Sequence, residues 1–536
     1  MSDTSELEQV LRDERTQRYA VEQRLVQETD KDRIWRRRAE ERAARIEALE
    51  AQKERGSRRG RWRRRRTPGV EVPSPRAVAA AGSGAQICLL PVVRAAVAAH
   101  HPELRRCVDM MTVLELDSSP DALHDSDVVV IEADHWPSLP ADARRAVNEW
   151  SSLPARQPLV LWTADGRCSD LGPLEDAADV ISATSAEGAR RRHGDSREVV
   201  LLPPTFDPRL HNPRVGSEGG GGPAEEGGRQ LVVDSAALAA PSGDLITTAA
   251  AGLPVMLGAA AEDAFARAKA GVAARRWAYR YHAPWVRAGH LLDSAGVSHP
   301  RPLPTVAGIV VSKRPLLIEG VVRMLAAQTY PDTEIVVGVH GHDPAPVVEM
   351  MNRLNLSMRW QVYGFGEEAT LGECLNAAID ATGAGVLAKV DDDDHYGPAY
   401  LEDAIHALVY SGAGIVGKAA QYTYLEQEDR TVLRRPGDEE KLIGGTPTGA
   451  GMVWRRSVWE KVRFPHRPRF VDRLFVAGAR TMGEQVYANS RWEFRLFRSE
   501  AGHTYEASAA AFLAGAEEAW PGDRPQLVEV GDLDPR

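Results

Sequence analysis

Cysteine is scarce in this chain of 536 residues: Cys88, Cys107, Cys168 and Cys374 stand far apart, without C-x-x-C spacing. That excludes a disulfide framework and a cysteine-based zinc site, and makes a reducing cytoplasm the expected setting. Long apolar runs are lacking too, since no segment reaches the roughly 18 uninterrupted apolar residues that a membrane span needs. The opening "MSDTSELEQVLRDERTQRYAVEQ" is charged rather than apolar, so no secretory signal is expected. A formal net charge of −10 argues against a general nucleic-acid binder, although the first 66 residues carry a strongly basic stretch.

What is present suggests two or three packed units, because the length exceeds one ordinary domain. Residues 1–66 are expected to be a charged helix and a basic linker. Leu7, Leu11, Val21, Leu25, Trp35, Ala39, Ile46 and Leu49 fall on a heptad-like seam, which Glu14, Arg18, Glu28, Asp32 and Arg42 interrupt. The pattern suits both a dimerising coiled coil and a lone solvated helix. The following "KERGSRRGRWRRRR", residues 53–66, reads either as a disordered basic linker or as a tether to an anionic membrane surface. Each basic residue near such a surface is worth about 1 kcal/mol, and Trp62 favours the interface.

From residue 85 to 297 short apolar runs alternate with helical stretches: "AQICLLPVV", "DVVVIEAD", "PLVLWTADG", "EVVLLPP", "QLVVDS" and "LPVMLG". The expectation is an α/β region with a largely parallel sheet. The glycine-rich "GSEGGGGPAEEGG" at 216–228 is expected to be a flexible loop between two lobes, and "SHPRPLPT" at 298–305 a linker. A further α/β domain is expected over 306–510, with 511–536 as a C-terminal tail. It opens on the strand "VAGIVVSKRP", the helix "LLIEGVVRMLAAQ" and the strand "TEIVVGVHG". After the helical "TLGECLNAAIDAT", the strand "GVLAKV" runs into "DDDDHYGPAYL".

Four adjacent carboxylates repel one another, and an ordinary solvated loop intersperses its acids with Gly, Ser or Lys. Asp391–Asp394 also follow an apolar strand, where ligands of open α/β sheets bind. Oxygen-only ligands suit Mg2+ or Mn2+, which bind one or two carboxylates together with substrate phosphates.

The order of these elements resembles family-2, GT-A type glycosyltransferases over residues 306–510. The resemblance is carried by "VAGIVVSKRP", "AAQTYPDTEIVVGVHG", "LNAAIDATGAGVLAKVDDDD" and "PTGAGMVWRRSVWEKVRFP". It implies a Rossmann-like mixed sheet and a D-x-D motif at Asp391 and Asp393 holding a divalent cation (Mn2+ or Mg2+). It further implies Ser312, Lys313, Arg314, Asn376, Lys389, Asp391 and Asp392 as donor-binding residues, His503 as a further metal ligand, and Asp472 as the general base. Asp472 equally suits a helix N-terminus, which needs no catalysis. His503 equally suits an ordinary surface or core position, and Ser312–Arg314 a solvated turn before Pro315. The second strand ends in "VGVHGH" where relatives often place a base-contacting aspartate, which leaves the nucleotide open.

Residues 85–297 resemble more loosely the CgeB-like, GT-B-like glycosyltransferase domains, through "EVVLLPPTFDPRLHNP", "LITTAAAGLPVML" and "HAPWVRAGHLLDSAGV". Thr247 and Thr248 stand where such enzymes usually carry a ribose-contacting glutamate. This half is therefore expected to be a non-catalytic scaffold or acceptor-binding module, with an independent second transferase as the alternative.

The implied activity is inverting, metal-dependent transfer of a sugar from a nucleotide-sugar donor, a UDP-sugar, to a glycan or lipid-linked acceptor. The setting would be cell-surface or exopolysaccharide biosynthesis, in the cytoplasm and peripherally at the inner face of the membrane. Two alternatives stand beside it: an inactive glycan-binding or assembly protein, and a nucleotidyltransferase. The last requires a glycine-rich, arginine-bearing phosphate loop after the first strand, and "VVSKRPLLIEG" lacks it. The stretch 421–448 is expected to be a loop shaping the acceptor pocket.

Overall fold

The computed structural model describes residues 90–163, 171, 173–183, 200–201, 205–206, 208, 231–233, 243–250, 255–257, 264–301, 303–499, 512–513 and 516–533. The N-terminal helix, the basic linker 53–66, the glycine-rich stretch 216–228 and His503 lie outside the described residues. Residues 75–536 form one compact unit. No described helix is long and apolar enough to cross a membrane.

The first sheet is built from β1 (Leu90–Ala98), β2 (Met111–Glu115), β3 (Val128–Glu132), β4 (Leu159–Thr163), β5 (Val180–Ala183) and β6 (Val200–Leu201). All six are parallel, in the order β2-β1-β3-β4-β5-β6. The strands β3 "VVVIE" and β4 "LVLWT" are buried along their whole length, as parallel strands covered on both faces must be. Two strands escape the sequence reading. Edge strand β2, "MTVLE", is only partly buried and carries polar residues that dilute its apolar run, while β5 is four residues long. The first described strand, Leu90–Ala98, runs beyond the apolar run 85–93, and its pairing with β2 shifts register between Leu90 and Arg94. A small parallel pair, β7 (Leu231–Val233) and β8 (Val255–Leu257), stands apart.

The second half opens with β9 (Val306–Ser312), β10 (Thr333–His340), β11 (Trp360–Phe365) and β12 (Val386–Lys389). These four are mutually parallel in the order β11-β10-β9-β12, and all eight residues of β10 are buried. Then come β13 (His395–Tyr396), β14 (Ile415–Gly417), β15 (Gln421–Leu425), β16 (Arg430–Arg434) and β17 (Lys441–Leu442). The chain closes with β18 (Met452–Arg455), β19 (Val486–Ala488), β20 (Phe494–Arg498) and β21 (Ala516–Pro521). Strand β18 runs antiparallel beside β12 and extends the sheet through β14, β19 and β17. The result is an eight-stranded mixed sheet in an α/β architecture.

A second, five-stranded sheet, β13-β20-β15-β16-β21, corrects two expectations. The stretch 421–448 is not simply a loop: β15 and β16 pair as a hairpin, turned by Asp429 in the left-handed region at φ 43°. Residues 516–533 are not a loose tail either. Strand β21 pairs antiparallel with β16, and Val528 behind it is fully buried. Thr431, Val432 and Leu433 are all buried, so β16 is covered on both faces in the middle of its run.

The two halves meet across the helix Ala264–His282, whose arginines are largely buried in the joint. Arg276, 2% exposed, donates to Asp403 at 2.9 Å and to Glu493 at 2.8 Å. Arg275 pairs with Glu440 at 2.9 Å, and Arg280 with Glu402 at 2.6 Å. Burial disfavours the Arg276 charge, but Asp403 and Glu493 more than offset it and hold the guanidinium protonated.

Candidate functional site

Strand β12 delivers Asp391–Asp394 at its carboxyl end, beside the carboxyl end of β9. The loop is held from below by Tyr396, 1% exposed. Its hydroxyl oxygen accepts from the Asp391 N–H at 2.8 Å, and its O–H donates to the Ala450 carbonyl at 2.9 Å. The run is thereby tied to the "TGAG" turn that precedes β18. Asp394 is buried and accepts from the Phe497 N–H at 2.7 Å, so it anchors β20 rather than facing a ligand.

The residues after β9 converge on the same loop. Ser312 donates from Oγ to Asp392, and the same Oγ accepts from the Arg314 N–H at 2.8 Å. The Arg314 guanidinium grips Asp392 through Nε at 3.2 Å and through Nη2, which also reaches Asp393 at 2.8 Å. Lys313 is exposed, with its carbonyl taking a hydrogen bond from His342 at 3.0 Å. At the end of β10, His340 is 4% exposed and its Nε2 is buried without a partner.

Two of the residues expected at the donor, Asn376 and Lys389, make contacts within the protein. Asn376 is buried, and its amide oxygen accepts from Trp459 Nε1 at 2.9 Å and from the Phe464 N–H at 3.1 Å. Its Nδ2 donates back to the Phe464 carbonyl at 2.9 Å, so Asn376 latches its helix onto the segment 459–464. Lys389 is 5% exposed and directs Nζ to Asp391 at 2.6 Å and to Asp472 at 3.7 Å. Its ammonium therefore positions two carboxylates. Burial works against that charge, and Asp391 and Asp472 together overcome it.

Asp472 stands in the first turn of the helix Val471–Thr481, as a capping or dipole role also requires. Its surroundings exceed that role. One oxygen faces Lys389, and the other, Oδ1, is buried without a partner although the side chain is 25% exposed. Gly449 gives it room, because a Cβ there would lie 2.1 Å from Asp472 Oδ2. The helix is entered through Phe470 at φ 62°, a left-handed conformation that costs a residue with a Cβ about 1 kcal/mol or more. Burial, opposed by Lys389 and reinforced by Asp391, raises the Asp472 carboxyl above its ordinary range.

The site thus joins Ser312, Arg314, Lys389, Asp391, Asp392, Asp393 and Asp472, drawn from three separate stretches of chain. Sequence reasoning misses Tyr396, His340 and Gly449. The "HY" after the aspartates was the only signal for the tyrosine, and the glycine's reason lies in a contact with residue 472.

The donor set fits a divalent cation of the magnesium or manganese type. Burial and the charge of Asp391 raise the Asp393 carboxyl, with Arg314 opposing, and burial with Asp393 and Asp391 raises Asp394 well above the usual range. Such crowding is relieved by positive charge. Among the described residues no third His, Cys or acid joins Asp391 and Asp393 in a cluster with ligand atoms within 4.8 Å of one another. Two carboxylates with phosphate oxygens completing the shell is the ordinary habit of these ions.

No protein-family model matches the chain, and no curated protein matches it. Solved structures do show similarity. Residues 1–349 of S. aureus TarS in complex with UDP-GlcNAc align with 17% identity over 38% of this chain, at a TM-score of 0.32. The mannosyltransferase PcManGT from Pyrobaculum calidifontis, in complex with GDP-Man and Mn2+, aligns with 19% identity over 38% of this chain, at a TM-score of 0.31. The matches span 62% of the TarS chain and 59% of the mannosyltransferase chain, and at these scores they decide neither reaction nor substrate.

Proposed function

We propose that the chain is an inverting, metal-dependent glycosyltransferase of the GT-A, family-2 kind, taking a UDP-sugar as donor and a glycan or lipid-linked acceptor. The observation that carries this reading is the Lys389 bridge, which holds Asp391 and Asp472 together at the carboxyl end of β12 while Arg314 stands over Asp392 and Asp393. It sets a cation-loving group and a proton acceptor on one buried ammonium. Asp472, through its unpartnered oxygen, takes the proton from the acceptor hydroxyl. The acceptor oxygen bonds the anomeric carbon as the bond to the diphosphate breaks, and the electron pair leaves on the diphosphate oxygen. Arg314, with its side chain 41% exposed, is placed to meet that developing negative charge. Asp391 and Asp393 would hold a divalent cation, which when bound would supply Lewis-acid stabilisation of the same leaving group.

In this reading residues 85–297 serve as a non-catalytic, CgeB-like scaffold or acceptor-binding module, and the work is done in cell-surface polysaccharide assembly at the cytoplasmic membrane face. Assay of UDP-sugar hydrolysis and transfer with Mn2+ tests it. Activity is expected in the full chain and is expected to vanish in the doubly substituted Asp391→Ala, Asp393→Ala protein; retained activity overturns the site. One observation favours a second reading, an inactive glycan-binding protein. Arg314 already neutralises Asp392 and Asp393, as a permanent replacement for a metal would. That reading predicts that no nucleoside diphosphate binds in a metal-dependent way.

A further inference from the structure

A cluster outside this site has metal-ligand chemistry of a different kind. In the first sheet, β1, β2 and β3 are adjacent, and the strand order reverses at β1, with β2 on one side and β3 on the other. Crevices beyond the carboxyl ends of strands at such a reversal are the preferred ligand sites of open α/β sheets. The turns leaving these three strands present His100, Asp117 and His135 respectively. Among the described residues, this is the group of three His, Cys, Asp or Glu side chains whose ligand atoms all lie within 4.8 Å of one another.

We propose that His100, Asp117 and His135 form a site for a divalent transition-metal ion of the zinc class, with three protein ligands and one position open to solvent or a ligand. Both imidazoles direct Nε2 at the same carboxylate oxygen, Asp117 Oδ2, at 3.5 Å from His100 and 3.0 Å from His135. Tetrahedral ligation with bonds of about 2.0 Å places ligand atoms roughly 3.3 Å apart, so the spacing already suits an ion. The rings are 3.9 Å apart at 70°, edge to face, as two imidazoles sharing one ion can be. The other carboxylate oxygen, Asp117 Oδ1, is buried without a partner, which hydrogen bonding to the two histidines leaves unexplained and a cation on the carboxylate would compensate.

The frame around the cluster is built, not incidental. Glu132, 6% exposed, accepts from the N–H groups of His100 and His101 at 2.7 and 2.8 Å and so fixes the turn that carries His100. His135 is 9% exposed while His100 is 71% exposed, which places the open coordination position on the solvent side. Beside it, Ala133, Trp162, Thr163, Leu171 and Glu175 line a small cleft in the same row of strand ends. Two imidazoles and one carboxylate favour zinc, iron, cobalt or nickel over magnesium, whereas the all-oxygen aspartate run has the opposite preference. The two sites therefore differ in the ion they select, and this one does not depend on the glycosyltransferase reading.

Cobalt titration of the EDTA-treated full chain, followed by visible absorption, tests the site. One equivalent of tetrahedral-type absorption is expected in the wild type and, unchanged, in the Asp391→Ala, Asp393→Ala protein. Zinc is expected to displace it and excess magnesium is not. His100→Ala removes an exposed ring, leaving the fold in place, and is expected to weaken binding by about 10-fold or more; Asp117→Asn is expected to act in the same direction. Absence of the absorption in the wild type, or its persistence at unchanged affinity in both variants, overturns the proposal.

Discussion

At the residue scale, Asp472 separates a catalytic role from a merely capping one. A base must be ionised to accept a proton, and burial raises the Asp472 carboxyl, with Lys389 pulling the other way. Activity should therefore fall as the pH drops through a value above the ordinary carboxylate range and should level off above it. Asp472→Asn is expected to reduce kcat by about 10²- to 10⁴-fold and to abolish this acid limb, with folding intact. A pH–rate profile unchanged by the substitution would reduce Asp472 to a helix-terminal residue. The aspartate run, Ser312, Arg314 and Asp472 stand at element boundaries in the sequence, and the fold brings them together around Lys389. The partners of Asn376 could not be read locally, because Trp459 Nε1 and the Phe464 backbone lie more than 80 residues away and only the fold brings them to its amide.

At the scale of elements, the helix Ala264–His282 is the least legible part of the chain. Its segment "AARRWAYRYH" gives no hint that Arg276 meets Asp403 and Glu493, which lie 127 and 217 residues downstream. Removing one partner from a buried ion network leaves the other charges uncompensated. Arg276→Ala should accordingly cost about 3–5 kcal/mol, measurable as a lowered urea midpoint. A change within about 0.5 kcal/mol, the ordinary range for surface substitutions, would show that the arginine is not part of the joint between the halves. The same limit explains the misread 421–448 stretch: the hairpin β15–β16 gains its burial from β20 and β21, which arrive later in the sequence. Local pattern alone reads such a segment as irregular.

At the scale of the whole molecule, the alternation of strands and helices made the α/β class legible, and the apolar runs located most of the central strands. The linker at 298–305 was also visible, but it does not divide the described chain into independent bodies, since residues 75–536 pack as one unit through charged and apolar contacts alike. The half that carries the carboxyl end of β12 packs against its neighbour within this unit, and the proposed function would bring cation, diphosphate and base together at that strand end. The central claim is that Asp391 and Asp393 clamp a diphosphate through a divalent ion. Calorimetric titration of UDP into the full chain, with Mn2+ and with EDTA, tests it most directly. Binding is expected with Mn2+, and is expected to be lost both in EDTA and in the Asp391→Ala, Asp393→Ala protein; equal binding in all three conditions, or binding of no nucleoside diphosphate in any, would contradict it.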